Sequence, residues 1–322
     1  MGTSLRQTLP TASEVQFFCL AEAGILAAQA LLLCESIRAF GGVHAACPIT
    51  VVSPRAERRP SPGTVRKLAH MDVECLELDI RSPCPSYGPS FRIYAAAHVE
   101  AISGPPILVQ LDSDTLFVAP PELSLESKEA CARPVDGKGM CTSGEGDAFD
   151  PFWRELSRIC RIDYEKIPHV ETTVDRLRVR ASYNAGFIAV RRGSNLFSLT
   201  LGFFERLVRA GMRPWAGMGI RVNSGNGLVD VEGSEYWGTS QAAFSLAAVA
   251  TGTEVRILPP SHNIPLHEFD RLEPLDSPPV HFHYHGMFTA GEQGPNPLLD
   301  GRVNLPDATV AWLRERLPLR PA

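Results

Sequence analysis

The chain has no C-x-x-C pair, and none of its eight cysteines lies beyond Cys160. Such scattered spacing excludes a zinc knuckle or a disulfide framework. Net positive charge is also missing: 31 Lys and Arg face 36 Asp and Glu, a formal charge of −5. No bulk positive field draws the chain to nucleic acid or anionic lipid, so any phosphate it binds needs a local device. Long apolar runs are absent too. The most apolar stretch, Phe17 to Cys34, is broken by Glu22, Gly24 and Gln29, too short and too polar for a membrane span. The start, MGTSLRQTLPTASE, shows no apolar region after a basic one, which speaks against a secretory signal and makes the cytoplasm the expected location. The 26 Gly and 27 Pro follow no period; they mark turns and exclude collagen-like and low-complexity classes.

What is present is a chain of 322 residues, 44% hydrophobic, long enough to bury roughly three quarters of its unfolded surface. VQFFCL (15–20) is an apolar run of strand length, followed by the helix-forming ILAAQALLLCESIRAF, which Gly41-Gly42 stops. PITVVSP predicts a second strand, VRKLAHM a helix and VECLELDI a third strand. FRIYAAAHVEAI predicts a helix before the apolar strand ILVQL. Strands alternating with helices imply an α/β fold with a mainly parallel sheet. Further on the pattern is mixed: a Gly-rich stretch (DGKGMCTSGEGD), a helix near PFWRELSRIC, a strand VRASYNAGFIAV and a helix LFSLTLGFFERLVRAG. The Gly-rich segment 211–240 reads as a functional loop for a second substrate; its Trp215, Tyr236 and Trp237 read either as a stacking surface for the acceptor or as packing of the loop itself.

ILVQL ends in Asp112-Ser113-Asp114. Residues i and i+2 at a strand end point the same way, which sets two carboxylates beside one ligand. Ligands of open α/β sheets bind at such carboxyl ends, and two hard oxygen donors suit Mg²⁺ or Mn²⁺. The ion would neutralise a diphosphate that an acidic chain cannot otherwise hold. Near the other end, VHFHYHG alternates, so His281, His283 and His285 share one strand face while Val280, Phe282 and Tyr284 share the other; any single one of these histidines reads equally as a core or solvent-facing residue, and three in register point to one ligand. An imidazole joining two carboxylates shifts preference toward Mn²⁺.

In five ordered pieces the chain resembles the nucleotide-sugar glycosyltransferases of the GT-A fold, and within them glycosyltransferase family 8, which includes glycogenin and lipopolysaccharide galactosyltransferases. The first strand with its helix and ITVVSP looks like the uridine-binding start. ILVQLDSDTLFVAPPEL is similar to the D-x-D strand, and SYNAGFIAVRRG to the Asn-x-Gly strand. WGTSQAAFSLA resembles the Asp-Gln helix start, and HYHG the terminal H-x-x-G. The family's Asp before the Gln is Ser240 here, and Met287-Phe288-Thr289 replaces its Lys-Pro-Trp. The resemblance implies a tail over 1–12, one GT-A domain over 13–290 with a nucleotide-binding half (13–130) and an acceptor-binding half (131–290), and a linker with a C-terminal amphipathic helix over 291–322.

Residue by residue, the resemblance implies that Asp112 and Asp114 bind the metal and the ribose-diphosphate, and that His283 completes the metal site. Ser113 and Gly286, inside the two motifs, belong to the same donor site. Arg92 would contact the diphosphate, or be an ordinary surface arginine. Leu20, Ala21 and Glu22 end the first strand where the uracil is met; Glu22 reads equally as a helix N-terminal charge. Asn184 and Gly186 fall where donor sugar and acceptor meet, the glycine admitting close backbone approach. Gln241 resembles the residue beneath the anomeric carbon, where a neutral amide stabilises oxocarbenium-like charge; it reads also as a helix-start glutamine after a capping Thr239 or Ser240.

The activity implied is metal-dependent transfer of a sugar from a nucleotide diphosphate, a UDP-sugar, to a hydroxyl of a carbohydrate or other acceptor, with retention. An inverting reaction would need a carboxylate base instead, for which Glu232 and Glu235 are the candidates. Two other readings are a zinc-dependent hydrolase using His281, His283 and His285, and a catalytically silent nucleotide-sugar binding protein of the same fold. The C-terminal helix, with Arg314, Arg316 and Arg320 beside Trp312 and Leu313, is expected to be solvated, with at most peripheral membrane contact.

Overall fold

A computed structural model of the chain describes residues 14–126, 129–224, 227–291 and 295–322. The tail expected over 1–12 lies outside the described residues. In chain order the strands are β1 (Val15–Leu20), β2 (Ile49–Ser53), β3 (Val73–Glu77), β4 (Ile107–Leu111), β5 (Thr115–Phe117), β6 (Glu129–Pro134), β7 (His169–Glu171), β8 (Arg178–Arg180), β9 (Tyr183–Arg191), β10 (Asn223–Ser224), β11 (Gly227–Leu228), β12 (Glu254–Ile257), β13 (Ile264–Pro265) and β14 (His281–His283). The α-helices are α1 (Ile25–Phe40), α2 (Pro62–Ala69), α3 (Pro89–Ile102), α4 (Asp150–Cys160), α5 (Leu196–Arg209), α6 (Val231–Glu235), α7 (Thr239–Thr251) and α8 (Asp307–Arg316).

Seven strands form the central sheet in the order β12-β6-β9-β4-β1-β2-β3. β9 runs antiparallel to both its neighbours, and the other pairings are parallel. This is the mixed, mainly parallel α/β sheet that the alternating pattern and the GT-A resemblance imply. A strand covered on both faces reads as a continuous apolar run, and β1, β4 and β9 are buried almost throughout. Their period-two alternation divides the core. Phe18, Leu108 and Ile188 face the layer of α3, α5 and α7, while Phe17, Val109 and Phe187 face the layer of α1 and α2. A smaller sheet, β13-β14-β5, has its own cluster with Leu116, Phe282 and Tyr284.

Two expectations are corrected here. The single strand expected over VRASYNAGFIAV is broken after Arg180: β8 pairs with β7, whereas β9 enters the central sheet. The C-terminal helix is docked instead of solvated. Leu313 is fully buried with Leu298 and Phe288, Trp312 meets Phe40 edge-on at 5.1 Å, and Arg316 pairs with Glu35 at 2.6 Å. Among the described residues, no helix is long and apolar enough to cross a membrane.

Candidate active site

Two backbone ladders bring the motif residues together. At the end of β4 the Asp112 N–H still donates to the Gly186 carbonyl of β9, at 3.2 Å. The Thr115 hydroxyl donates back to the Asp112 carbonyl at 2.7 Å, closing a turn around Ser113 and Asp114. β5 then pairs antiparallel with β14, placing His283 opposite Thr115, and the Tyr284 N–H donates to the Asp114 carbonyl at 3.0 Å. A strand far along the chain thus carries its imidazole to the acidic turn. His283 Nε2 lies 3.4 Å from Asp114 Oδ1 and 4.0 Å from Asp112 Oδ2. One ligand atom from each of the three falls within 4.8 Å of the others. Two carboxylates and one imidazole fit a divalent ion such as Mn²⁺ or Mg²⁺. Ser113 points the other way, its hydroxyl donating to Gln29 Oε1 at 3.3 Å.

The charges in this cluster compensate one another. Burial on its own would raise the Asp114 carboxyl, but the neighbouring His283 outweighs it and holds Asp114 well below the usual carboxylate range. Burial likewise pulls His283 down, and Asp114, then Asp112 and Asp136, push it above its ordinary value. A proton on His283 therefore balances the acids, and a cation bound at the same place would have to displace it.

Asn184 and Gly186 lie directly beneath. The Asn184 carbonyl oxygen accepts from the Gly186 N–H at 2.8 Å and from Asn263 Nδ2 at 3.0 Å, while its Nδ2 donates to Asp136 Oδ2 at 3.1 Å. The Asn184 side-chain amide is thus held at both its oxygen and its nitrogen by protein partners. The glycine requirement also has an internal cause: a Cβ on Gly186 would stand 2.3 Å from Asn263 Oδ1 and 2.6 Å from His283 Nδ1. The close approach is that of the His283 imidazole over the strand.

Arg92 is no surface arginine. Its side chain is 16% exposed, and Nη1 donates to Asp112 Oδ1 at 2.5 Å. Together with Gln110, Ser240, Gln241 and the apolar Ile93, Phe197 and Phe244, it lines a cavity of about 20 Å³, room for about one water. Gln241 stands in the first turn of α7, but the residue before that helix is Gly238 at φ 94 and caps with no side chain. The expected capping by Thr239 or Ser240 does not occur; the Ser240 hydroxyl bonds the Tyr87 hydroxyl at 2.8 Å.

The remaining sequence candidates are more occupied. Glu22 is neither free nor a simple helix charge, because Arg55 grips both its oxygens at 2.5 Å. Leu20 ends β1 and Ala21 follows it, its N–H donating to the Val52 carbonyl. Glu235 binds Arg213 at 2.7 Å and accepts from the Gly217 N–H at 2.9 Å, tying down the 213–217 loop. Trp215 meets Phe149, and Tyr236 and Trp237 meet Tyr87, so all three pack within the protein. Gly286 borders open space beyond β14.

The expected set His281, His283 and His285 does not converge on one ion. β14 ends at His283, and His285 takes a left-handed backbone at φ 51, so strand alternation stops before it. His281 is sealed between Phe117 and Phe187 at 4.5 and 5.1 Å. Burial holds its imidazole well below the ordinary value. That geometry removes the three-histidine zinc hydrolase.

Sequence reasoning missed Asp136, His267 and Asn263. Asp136 follows the end of β6 much as Asp112 follows β4, and that parallel was the available signal. Burial pushes its carboxyl up to about 6. His267 sits in the short 3₁₀ helix Leu266–Arg271 and Asn263 just before β13, with no sequence pattern to mark either.

The profile of the Rhodobacterales glycosyltransferase domain matches residues 17–213. No curated protein matches the chain in sequence. Among solved structures it is similar to mouse xyloside xylosyltransferase 1 in its apo form, at 11% identity and a TM-score of 0.48, over 87% of this chain and 100% of that one. With the motif residues assembled at the end of β4 and the profile covering most of the central sheet, the chain belongs to the Rhodobacterales glycosyltransferase domain family.

Proposed function

We propose that this glycosyltransferase takes its sugar from a UDP-sugar and passes it, with retention, to an acceptor hydroxyl of a carbohydrate or similar compound, using Mn²⁺ or Mg²⁺ held by Asp112, Asp114 and His283. The observation that carries this reading is the convergence of two carboxylates and an imidazole at the carboxyl end of β4, in a chain whose overall charge repels a diphosphate. A divalent ion there supplies Lewis-acid neutralisation of the leaving diphosphate. Asp112 and Asp114 orient that charge, and Arg92, held on Asp112, adds a cationic group at the same edge. Leu20 and Ala21 offer backbone to the base, with the Glu22–Arg55 pair beside them.

Gln241 shares a cavity with Arg92 and presents a neutral amide to positive charge developing at the anomeric carbon. Asn184 acts through others, keeping Gly186, Asn263 and Asp136 in register. Glu235 is already committed to Arg213 and Gly217, which suits a retaining reaction, where the leaving phosphate takes the acceptor proton and no carboxylate base is needed. The test is UDP release from UDP-glucose, UDP-galactose and UDP-N-acetylglucosamine without acceptor. Slow, Mn²⁺-dependent release from at least one is expected; none from any, with Mn²⁺ or Mg²⁺, would overturn the donor assignment.

A further inference from the structure

We propose that Asp136, His267 and His285 form a second divalent-cation site, of zinc-binding character, directly beside the Asp112–Asp114–His283 cluster. One ligand atom from each of the three lies within 4.8 Å of the others. They come from separate parts of the chain: Asp136 just after β6, His267 from the turn Leu266–Arg271 after β13, and His285 just past β14. Convergence of two imidazoles and a carboxylate from three segments is not a local accident of sequence.

Three further features point to a ligand. Among the described residues, His285 Nδ1 is buried without a hydrogen-bond partner, a state that costs free energy unless something fills it. His285 also adopts the left-handed backbone at φ 51, sparsely populated by residues other than glycine and concentrated at functional sites. Finally, Asp136 is oriented from behind by Asn184 Nδ2 at 3.1 Å, the outer-shell support that metal-ligating carboxylates commonly have.

The donor sets differ in hardness. Two carboxylates and one imidazole suit Mn²⁺ or Mg²⁺, whereas two imidazoles and one carboxylate suit zinc, with a fourth position open to water or a hydroxyl. The His283 and His285 rings stack at 3.9 Å and 9°, so one ring contact separates the sites. His267 is exposed and gives the ion an entry path. Nothing here depends on which donor the chain uses, and metal content is read independently of turnover.

The experiment is equilibrium dialysis of the full chain against Zn²⁺ with metal analysis, in an Asp114→Asn background that disables the first site. About one tightly held equivalent is expected there, lost when His267→Ala is added. Co²⁺ in place of Zn²⁺ should give visible absorption that disappears with the same substitution. Because His267 lies on an exposed turn, the metal-free variant should melt as its parent does. Absence of bound zinc in Asp114→Asn, or its retention after His267→Ala, would overturn the site.

Discussion

His283 Nε2 stands 3.4 Å from Asp114 Oδ1, and one backbone hydrogen bond, from the Tyr284 N–H to the Asp114 carbonyl at 3.0 Å, fixes that separation. Side chains from two ends of the chain are therefore positioned by a ladder, not by loop flexibility. Preorganisation of this kind means that the acids need not be gathered when a cation arrives.

Asp114→Asn should lower activity by about a hundredfold or more while leaving the fold intact, since it removes one charged ligand at a strand end. It also removes the strongest influence holding the His283 imidazole up, so the His283 resonance should titrate at lower pH by NMR. Near-normal turnover together with an unmoved His283 would remove this residue from the metal site.

Gly186→Ala tests why the Asn-x-Gly strand needs its glycine. The new methyl would stand 2.6 Å from His283 Nδ1 and 2.3 Å from Asn263 Oδ1, and overpacking of this kind costs about 1–3 kcal/mol. Denaturant unfolding should register that loss, and Mn²⁺ binding should weaken because His283 is pushed from its place. Unchanged stability and Mn²⁺ affinity would mean that the strand yields and the close approach is no constraint.

The parts legible in sequence are those governed by local pattern. VQFFCL, ILAAQALLLCESIRAF and ILVQL coincide with β1, α1 and β4, because burial on both faces or a sustained helical stripe leaves a continuous apolar signature. The pairing of Asp112 with Asp114 was expected from i, i+2 geometry at a strand end, but β4 ends at Leu111 and the turn closed by the Thr115 hydroxyl on the Asp112 carbonyl sets the two carboxylates. What escaped depended on where a pattern stops. Alternation through VHFHYHG placed His281, His283 and His285 together, but the backbone leaves the strand at His285; its ring stacks on His283, while His281 is sealed between Phe117 and Phe187. Asp136 and His267 were single polar residues, and only the tertiary fold brings them beside the motif.

Gln241→Ala should reduce turnover more than donor affinity, as loss of an interaction formed mainly in the transition state does. Steady-state kinetics alongside direct UDP binding would show it. Weakened donor binding at an unchanged catalytic rate would make Gln241 a binding residue instead.

His262 supplies a pH test away from the Asp112–Asp114–His283 cluster. Burial, with Arg133 and Arg256 adding to it, pushes its imidazole down to about 4 from an ordinary 6.5. The folded chain therefore keeps the ring neutral where the unfolded chain would protonate it. Its contribution is whole above pH 6.5 and is lost as pH falls toward about 4, to a total of roughly 3 kcal/mol. His262→Phe should flatten the acid limb of a plot of denaturant midpoint against pH in that window. Parallel limbs for the two proteins would contradict the buried neutral state.

The donor class can be tested without an acceptor by melting the protein with UDP, GDP, ADP or TDP, each with and without Mn²⁺. A ligand that binds only the folded state at about a hundredfold excess over its dissociation constant stabilises by about 2.7 kcal/mol, a few degrees in a chain of this length. Asp112 and Asp114 are anionic groups that repel a bare diphosphate, and Arg92 is already bound to Asp112. UDP and Mn²⁺ together should therefore raise the midpoint beyond the sum of either alone, the thermodynamic mark of coupled binding. Asp114→Asn should abolish that excess while leaving any metal-independent shift. A UDP shift indifferent to Mn²⁺ would give a metal-independent transferase, and a larger shift with another nucleotide would move the donor class. Without a shift from any nucleotide, the end of β4 would no longer serve as the donor site.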